Sequence, residues 1–386
     1  MKPPIMTSLR LALLIMTLLL GGHAAAQSQP VPVPDPPALG AKGYVLMDFH
    51  SGRVLANEQS DVRRDPASIT KVMTAFVVFN ELQSGDLSMD EQVVISEKAW
   101  RARGSRMFIE VGNRIPVRDL VRGMIIQSGN DASIALAEHI AGSEATFAAL
   151  MNQYAAELGM TNTQYTNATG LPGDDHYSSA ADTATLVRAL INRFPDYYRY
   201  YSERQFTWNG ITQRNRNRML WQDPSVDGVK TGYTEAAQYC LATSANRDGM
   251  RLISVVMGAE TPENRVEQSK TLLNYGYRFF ETHRLYEADA TINTPRLWKG
   301  TADTLPVGVS DDIYITLPTD TYDQLDARIT LNDPLQAPVA EGDSVGRLSV
   351  SLNGEVVRER SIIALEGVPE AGFVGRTIDS VRLWIN

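Results

Sequence analysis

At 386 residues the chain is long enough for two domains and a sizeable buried core. Hydrophobic residues make up 43% and charged residues 21%, an ordinary globular composition. A net charge of −9, with no block of basic residues, argues against nucleic-acid binding.

The first element is a targeting segment. Lys2 and Arg10 precede LALLIMTLLLGG, and HAAAQ follows. A charged start, a short apolar run and small residues predict a signal peptide over 1–26, cut after Ala26, and hence an exported protein. The apolar run is too short for an ordinary transmembrane helix. No cysteine follows the small residues, so a lipid anchor there is not expected. Residues 27–38, rich in proline, read as an extended leader. Cys240 is the sole cysteine, so no intrachain disulfide can form, and YCLATSA reads as a core strand with a buried thiol.

GYVLMDFHSGRVLANEQS predicts two strands joined at Ser51–Gly52. A helix follows Asp65. Val72, Ala75, Phe76, Phe79 and Leu82 recur at three- and four-residue steps and predict one buried face, with Gly85 as the stop. After a mixed stretch to Ile115, Val117, Leu120, Val121, Met124 and Ile125 mark another helix. SGND breaks it. Three more helices are expected in ASIALAEHIAG, TFAALMNQYAAELGM and SSAADTATLVRALINRF. YCLATSANRDGMRLISVVMG is two apolar runs around Asp248–Gly249, a hairpin signal. A last helix is predicted from about Pro262 to Thr282. Strands at both ends and helices between them predict one antiparallel sheet with helices packed on it, an α+β domain over 39–285.

Residues 286–365 alternate as short strands, with a turn at Asn353–Gly354, and read as a small β-sandwich domain carrying no evident chemistry. Residues 368–386 differ. Val374, Ile378, Val381 and Ile385 share a face with Phe373 and Trp384 beside it and Arg376 and Arg382 flanking it. That pattern predicts an amphipathic helix at a membrane surface.

The chemistry centres on Ser68 and Lys71, neighbours on the first turn of a mostly apolar helix. Alone, Ser68 reads as a helix cap. A desolvated Lys71, however, has a lowered pKa and a lone pair able to take the serine proton. Two more short motifs follow in order: Ser128-Gly129-Asn130 between two helices, and Lys230-Thr231-Gly232 before a hairpin. S-x-x-K, S-x-N and K-T-G together are the set found in β-lactamases and penicillin-binding proteins. The roles expected are Ser68 as nucleophile, Lys71 as base, Ser128 as proton relay and Asn130 as a substrate or lysine ligand. Lys230 and Thr231 suit a substrate carboxylate, and Gly232 allows close backbone approach. The strand can take an extended peptide by strand addition. No P-loop occurs. His50, His139, His176 and His283 form no ligand pair and are expected in loops or at the surface, so neither a metal nor another cofactor is expected.

With PASITKVMTA, SGNDA, YSSAADTA, NRNRMLW, VDGVKTGYT and MRLISVVMG in this order, the chain resembles the low-molecular-mass penicillin-binding proteins. Within that group it is similar to the serine-type D-alanyl-D-alanine carboxypeptidases of the penicillin-binding protein 5/6 type, over almost its whole length. The resemblance implies a penicillin-binding/β-lactamase-like first domain. It implies removal of the terminal D-alanine of peptidoglycan pentapeptides through an acyl-Ser68 intermediate that β-lactams also form. It places the protein in the periplasm, held peripherally on the inner membrane by the C-terminal helix. It implies that Arg265 reads the terminal carboxylate and that Arg216 lines the site. Tyr233 stands where some relatives carry histidine, and its N–H could still serve an oxyanion hole. The alternatives are a DD-endopeptidase, a β-lactamase, disfavoured because no E-x-x-L-N lies between Ser128 and Lys230, and a non-catalytic peptidoglycan-binding module.

Overall fold

The structure, a computed structural model, describes residues 32–385. The expected signal peptide and the first residues of the leader lie outside them. Residues 32–39 run without regular structure. They are fastened by Tyr275, whose hydroxyl donates to the Pro34 carbonyl at 2.9 Å, and by Tyr44, which donates to Pro37 at 3.1 Å.

The first unit is built on a five-stranded antiparallel sheet. In spatial order its strands are Val54–Glu58, Gly43–Asp48, Met250–Ala259, Gln238–Arg247 and Val226–Thr234. The N-terminal hairpin thus joins strands two hundred residues later, with Val45 opposite Val255. The Asp248–Gly249 turn has φ values of 51° and 87°. Positive φ at both positions is the type I′ geometry that matches strand twist.

Pleating sends successive side chains to opposite cores. Val45 and Met47 pack with the helical layer, and Leu46 with the helix Pro262–Phe279 on the other face. Gly276 lets that helix come close, since a Cβ there would lie 2.5 Å from Leu252 Cδ1. The helix ends at Phe279, three residues short of the expected Thr282. Phe280–Tyr286 turns into a strand that pairs with Ile313–Pro318 and leads into the second unit.

The helical layer contains Lys71–Ser84, Val117–Ile126, Asn130–Ala141, Glu144–Glu157 and Ala180–Arg193. Lys71–Ser84 differs from the one-faced helix predicted: every residue from Lys71 to Phe79 is buried. These nine residues run through the middle of the unit, and only the last turn, at Gln83 and Ser84, is exposed.

The second unit carries the pair Phe280–Tyr286/Ile313–Pro318 and a four-stranded sheet ordered Val307–Gly308, Glu355–Ala364, Ser344–Leu352, Leu325–Leu331. Leu305, Leu317, Leu348 and Ile362 fill its core. The Asn353–Gly354 turn has φ values of 52° and 85°. Thr282 donates to Asp48 Oδ2 at 2.8 Å and Arg53 to the Thr316 carbonyl at 2.6 Å, which ties this unit to the first. The chain closes on the helix Phe373–Ile385, which has no buried residue. Asp379 holds it by accepting the Lys299 N–H at 2.7 Å.

Candidate active site

Ser68 sits in a single 3-10 turn, Ala67–Thr70, that leads directly into the buried helix. It caps neither helix, the cap residues being Pro66 and Thr70, and its Oγ instead meets Lys71 Nζ, so the helix-cap reading does not hold. Ala67, just before it, has φ of +47°, a left-handed conformation unusual for a residue with a Cβ. Gly170 presses on this turn, and a Cβ there would overlap the Ala67 carbonyl at 1.8 Å. The backbone before Ser68 is therefore held from outside.

Lys71 lies under the turn, 1% exposed. Its Nζ is 3.0 Å from Ser68 Oγ, 2.7 Å from Asn130 Oδ1 and 2.6 Å from the Thr169 carbonyl. Burial, opposed by Asp131 and assisted by Arg216, pulls its pKa down to about 7. A neutral amine has two donors and one lone pair. The two fixed acceptors, Asn130 and Thr169, take the donors, which leaves the lone pair for the Ser68 hydroxyl.

Asn130 opens its helix and donates from Nδ2 to the Arg103 carbonyl at 2.6 Å, while its N–H donates to Ser105 O at 2.7 Å. Buried Asp131 accepts the N–H groups of Met107 at 3.0 Å and Phe108 at 2.9 Å. The loop carrying Ser105 is thereby pinned to the site. Ser128 has φ of +65°, and its buried Oγ has no hydrogen-bond partner among the described residues. Such a hydroxyl is free to serve a bound group.

The K-T-G strand is the edge of the sheet, so its outer side is open to pairing. Lys230 is 2% exposed, with Nζ 3.2 Å from the Thr231 carbonyl. Burial, then the charges of Lys71, Arg216 and Arg265, push its pKa well below the ordinary lysine range. The closest neighbours of a Cβ on Gly232 would be Pro66 O at 3.0 Å and Ala67 Cβ at 3.1 Å. Glycine here lets the strand close onto the serine turn. Tyr233 is exposed and stacks on Tyr239 with centroids 4.4 Å apart. Arg265 donates to the Gly232 carbonyl at 3.1 Å and lies 5.4 Å from the Tyr239 ring. Arg216 donates from Nε to the Gln127 carbonyl at 3.1 Å. One cavity is lined by Ser68, Ser105, Ser128, Thr231, Arg216 and Arg265, and an adjoining one by Ser68, Asn130, Thr169 and Tyr233. The predicted residues therefore converge, with Lys71 and Lys230 buried among them.

Thr169 and Asp131 were not among the expected site residues. His176, expected in a loop or at the surface, is in a loop but 4% exposed. Its Nδ1 accepts the Thr166 N–H at 3.0 Å, so the other nitrogen carries the proton and Nε2 donates to Thr70 Oγ1 at 2.9 Å. Burial lowers its pKa to about 4 and keeps it neutral.

A partly exposed serine over a buried lysine, between a helical layer and an open sheet edge, is the arrangement of a serine hydrolase of penicillin-binding architecture. Residues 29–261 match the Peptidase S11 profile, described as D-alanyl-D-alanine carboxypeptidase. Residues 280–370 match the C-terminal domain of penicillin-binding protein 5. D-alanyl-D-alanine carboxypeptidase DacA of Escherichia coli (strain K12) is 40% identical over 97% of this chain and 96% of its own. DacC of the same organism is 43% identical over 90% of this chain and 89% of its own. The crystal structure of penicillin binding protein 5 from Haemophilus influenzae superposes with a TM-score of 0.83 at 40% identity, covering 87% of this chain and all of that one. The chain belongs to the S11 family of serine-type D-alanyl-D-alanine carboxypeptidases.

Proposed function

We propose that Ser68 is the nucleophile with which this enzyme removes the terminal D-alanine of peptidoglycan pentapeptides. The observation that carries this is Lys71 Nζ at 3.0 Å from Ser68 Oγ, buried and with its pKa lowered to about 7. The substrate strand lies along the K-T-G edge, with its carboxylate against Thr231 and Arg265 and its body bordered by Tyr233 and Arg216. Neutral Lys71 takes the Ser68 proton as Oγ attacks the penultimate carbonyl. The Ser68 and Tyr233 N–H groups face the oxyanion. Ser128 relays that proton from Lys71 to the leaving nitrogen, so D-alanine departs as the amine and Lys71 is neutral again. Asn130 keeps Lys71 and the substrate amide in place. Water, deprotonated by Lys71, then hydrolyses the acyl ester. A β-lactam acylates the same serine.

Residues 39–285 form the catalytic domain in this reading, and residues 286–365 a β domain that sets its distance from a membrane. The helix at 368–386 rests on that membrane, on the periplasmic side. Among the described residues no helix is long and apolar enough to cross a bilayer.

The test is D-alanine release from a soluble pentapeptide ending in D-Ala–D-Ala, with labelled penicillin as a second probe. Wild type is expected to release one D-alanine per peptide and to take up one penicilloyl group. Ser68→Ala is expected to do neither, and D-alanine release by that variant would refute the assignment.

A further inference from the structure

Gln213–Met219 alternates with period two. Gln213, Asn215, Asn217 and Met219 are buried, while Arg214, Arg216 and Arg218 are exposed. The asparagines lock the segment in place. Asn215 donates to the Glu203 carbonyl at 3.0 Å and Asn217 to the Gly228 carbonyl at 2.9 Å. Each also accepts an N–H two residues on, from Asn217 at 3.0 Å and from Met219 at 3.1 Å. A chain anchored on one side at every second residue presents the others on the opposite side. The three arginines, with Trp221 and Arg265, line a cavity of about 480 Å³. Arg216 and Arg265 also line the cavity that holds Ser68, so the two spaces share a wall.

The charge of this wall is largely unbalanced. Among the described residues Arg218 pairs with Glu263 at 2.7 Å, and neither Arg214 nor Arg216 meets a carboxylate. In a chain of net charge −9, a rigid row of guanidinium groups beside the site favours an anion. A free D-alanine leaving group has one carboxylate, and Thr231 and Arg265 suffice for it. Arg214 and Arg218 lie beyond it.

We propose that this cavity is a leaving-group subsite for an anionic peptide, which gives the enzyme DD-endopeptidase activity on cross-linked peptidoglycan peptides. This rests on Thr231 and Arg265 holding the carboxylate of the leaving residue. In a cross-link, the amine bound to the D-alanine carbonyl belongs to a diamino acid of the neighbouring stem. Its adjacent carboxylate keeps the place of the D-alanine carboxylate. Its side chain, in place of the methyl group, carries the rest of that stem and its further carboxylates into the arginine cavity. The chemistry is unchanged: Ser68 Oγ forms the ester, the C–N bond breaks, the proton goes to the departing amine, and water cleaves the ester.

The test uses the chain from Gln27 onward and two substrates: the soluble pentapeptide, and a tetrapeptide–tetrapeptide cross-linked dimer that has no terminal D-Ala–D-Ala. Wild type is expected to split the dimer. Arg214→Gln/Arg218→Gln is expected to lower kcat/KM on the dimer about tenfold, mostly through KM, with D-alanine release within twofold of wild type. A dimer amidated on the carboxylates of its leaving stem is expected to lose about the same factor with wild type. D-alanine release with no dimer cleavage, or equal losses on both substrates in the double variant, overturns the subsite and leaves the carboxypeptidase intact. Absence of D-alanine release from the pentapeptide overturns the carboxylate placement on which the subsite rests.

Discussion

A lysine amine accepts a proton only when neutral, so the reactivity of Ser68 follows the titration of Lys71. Burial lowers that pKa to about 7, from an ordinary value above 10. Below pH 7 the amine is charged, its lone pair is gone, and acylation slows. Above pH 7 the neutral form dominates. Penicillin acylation is therefore expected to rise through an apparent pKa near 7 and to be about a hundredfold slower at pH 5. Lys71→Arg, charged at every accessible pH, is expected to lose at least a hundredfold and to lose the rising limb. A variant with the wild-type limb would assign the titration to another group. Ser68, Lys71, Ser128, Asn130 and Lys230 stand out in the sequence because short motifs name their side chains. Thr169 offers a main-chain carbonyl, which any residue type supplies, so nothing in the sequence marks it.

Between elements, His176 joins the loop that carries Thr169 to the turn that carries Ser68. Its two nitrogens bridge the Thr166 N–H and Thr70 Oγ1, which requires the neutral ring. The pKa falls from 6.5 unfolded to about 4 folded, so the unfolded chain binds the extra proton first as pH drops. The stabilisation is complete above pH 6.5 and is lost as pH falls through 4, a change of roughly 3 kcal/mol. The melting temperature of His176→Gln is expected to fall less steeply between pH 6.5 and 4.5 than that of wild type. Parallel slopes would show that His176 does not carry the acid sensitivity. At this scale the sheet and the long helices were legible, because period two and period 3.6 are strong signals over ten residues. Two short strand pairs, Gln92–Val94 with Arg114–Pro116 and Gln205–Trp208 with Ile211–Arg214, were not. Three or four residues hold too few repeats to show a period. The buried serine helix also read as one-faced, because Lys71 and Thr74 look polar in sequence, yet Lys71 contacts the site and Thr74 donates to the Ala168 carbonyl at 2.7 Å.

For the molecule as a whole, the open question is what covers the C-terminal helix. Phe373 is 78% exposed, Trp384 88% and Ile385 72%, and Val374, Ile378 and Val381 are exposed beside them. The only acid on this helix, Asp379, is turned inward to the Lys299 N–H and sits near Arg296 at 3.6 Å and Arg382 at 3.7 Å. The outward side is thus apolar with arginine flanks, the pattern of a helix lying in a lipid interface. Half-burying these six side chains at about 1 kcal/mol each gives roughly 6 kcal/mol, an affinity of order 10⁴ M⁻¹. Binding of that strength is reversible and gains from anionic lipid through Arg376 and Arg382. The chain from Gln27 is therefore expected to sediment with vesicles containing anionic phospholipid, and less so with neutral ones. Removal of residues 373–386 is expected to leave it in the supernatant, with D-alanine release from the soluble pentapeptide unchanged. Trp384→Glu/Ile385→Glu, which leaves the Asp379 contact in place, is expected to lower vesicle binding at least tenfold. Equal sedimentation of all three forms would mean that the helix does not attach the protein to lipid, and that its apolar side is covered by something other than a bilayer.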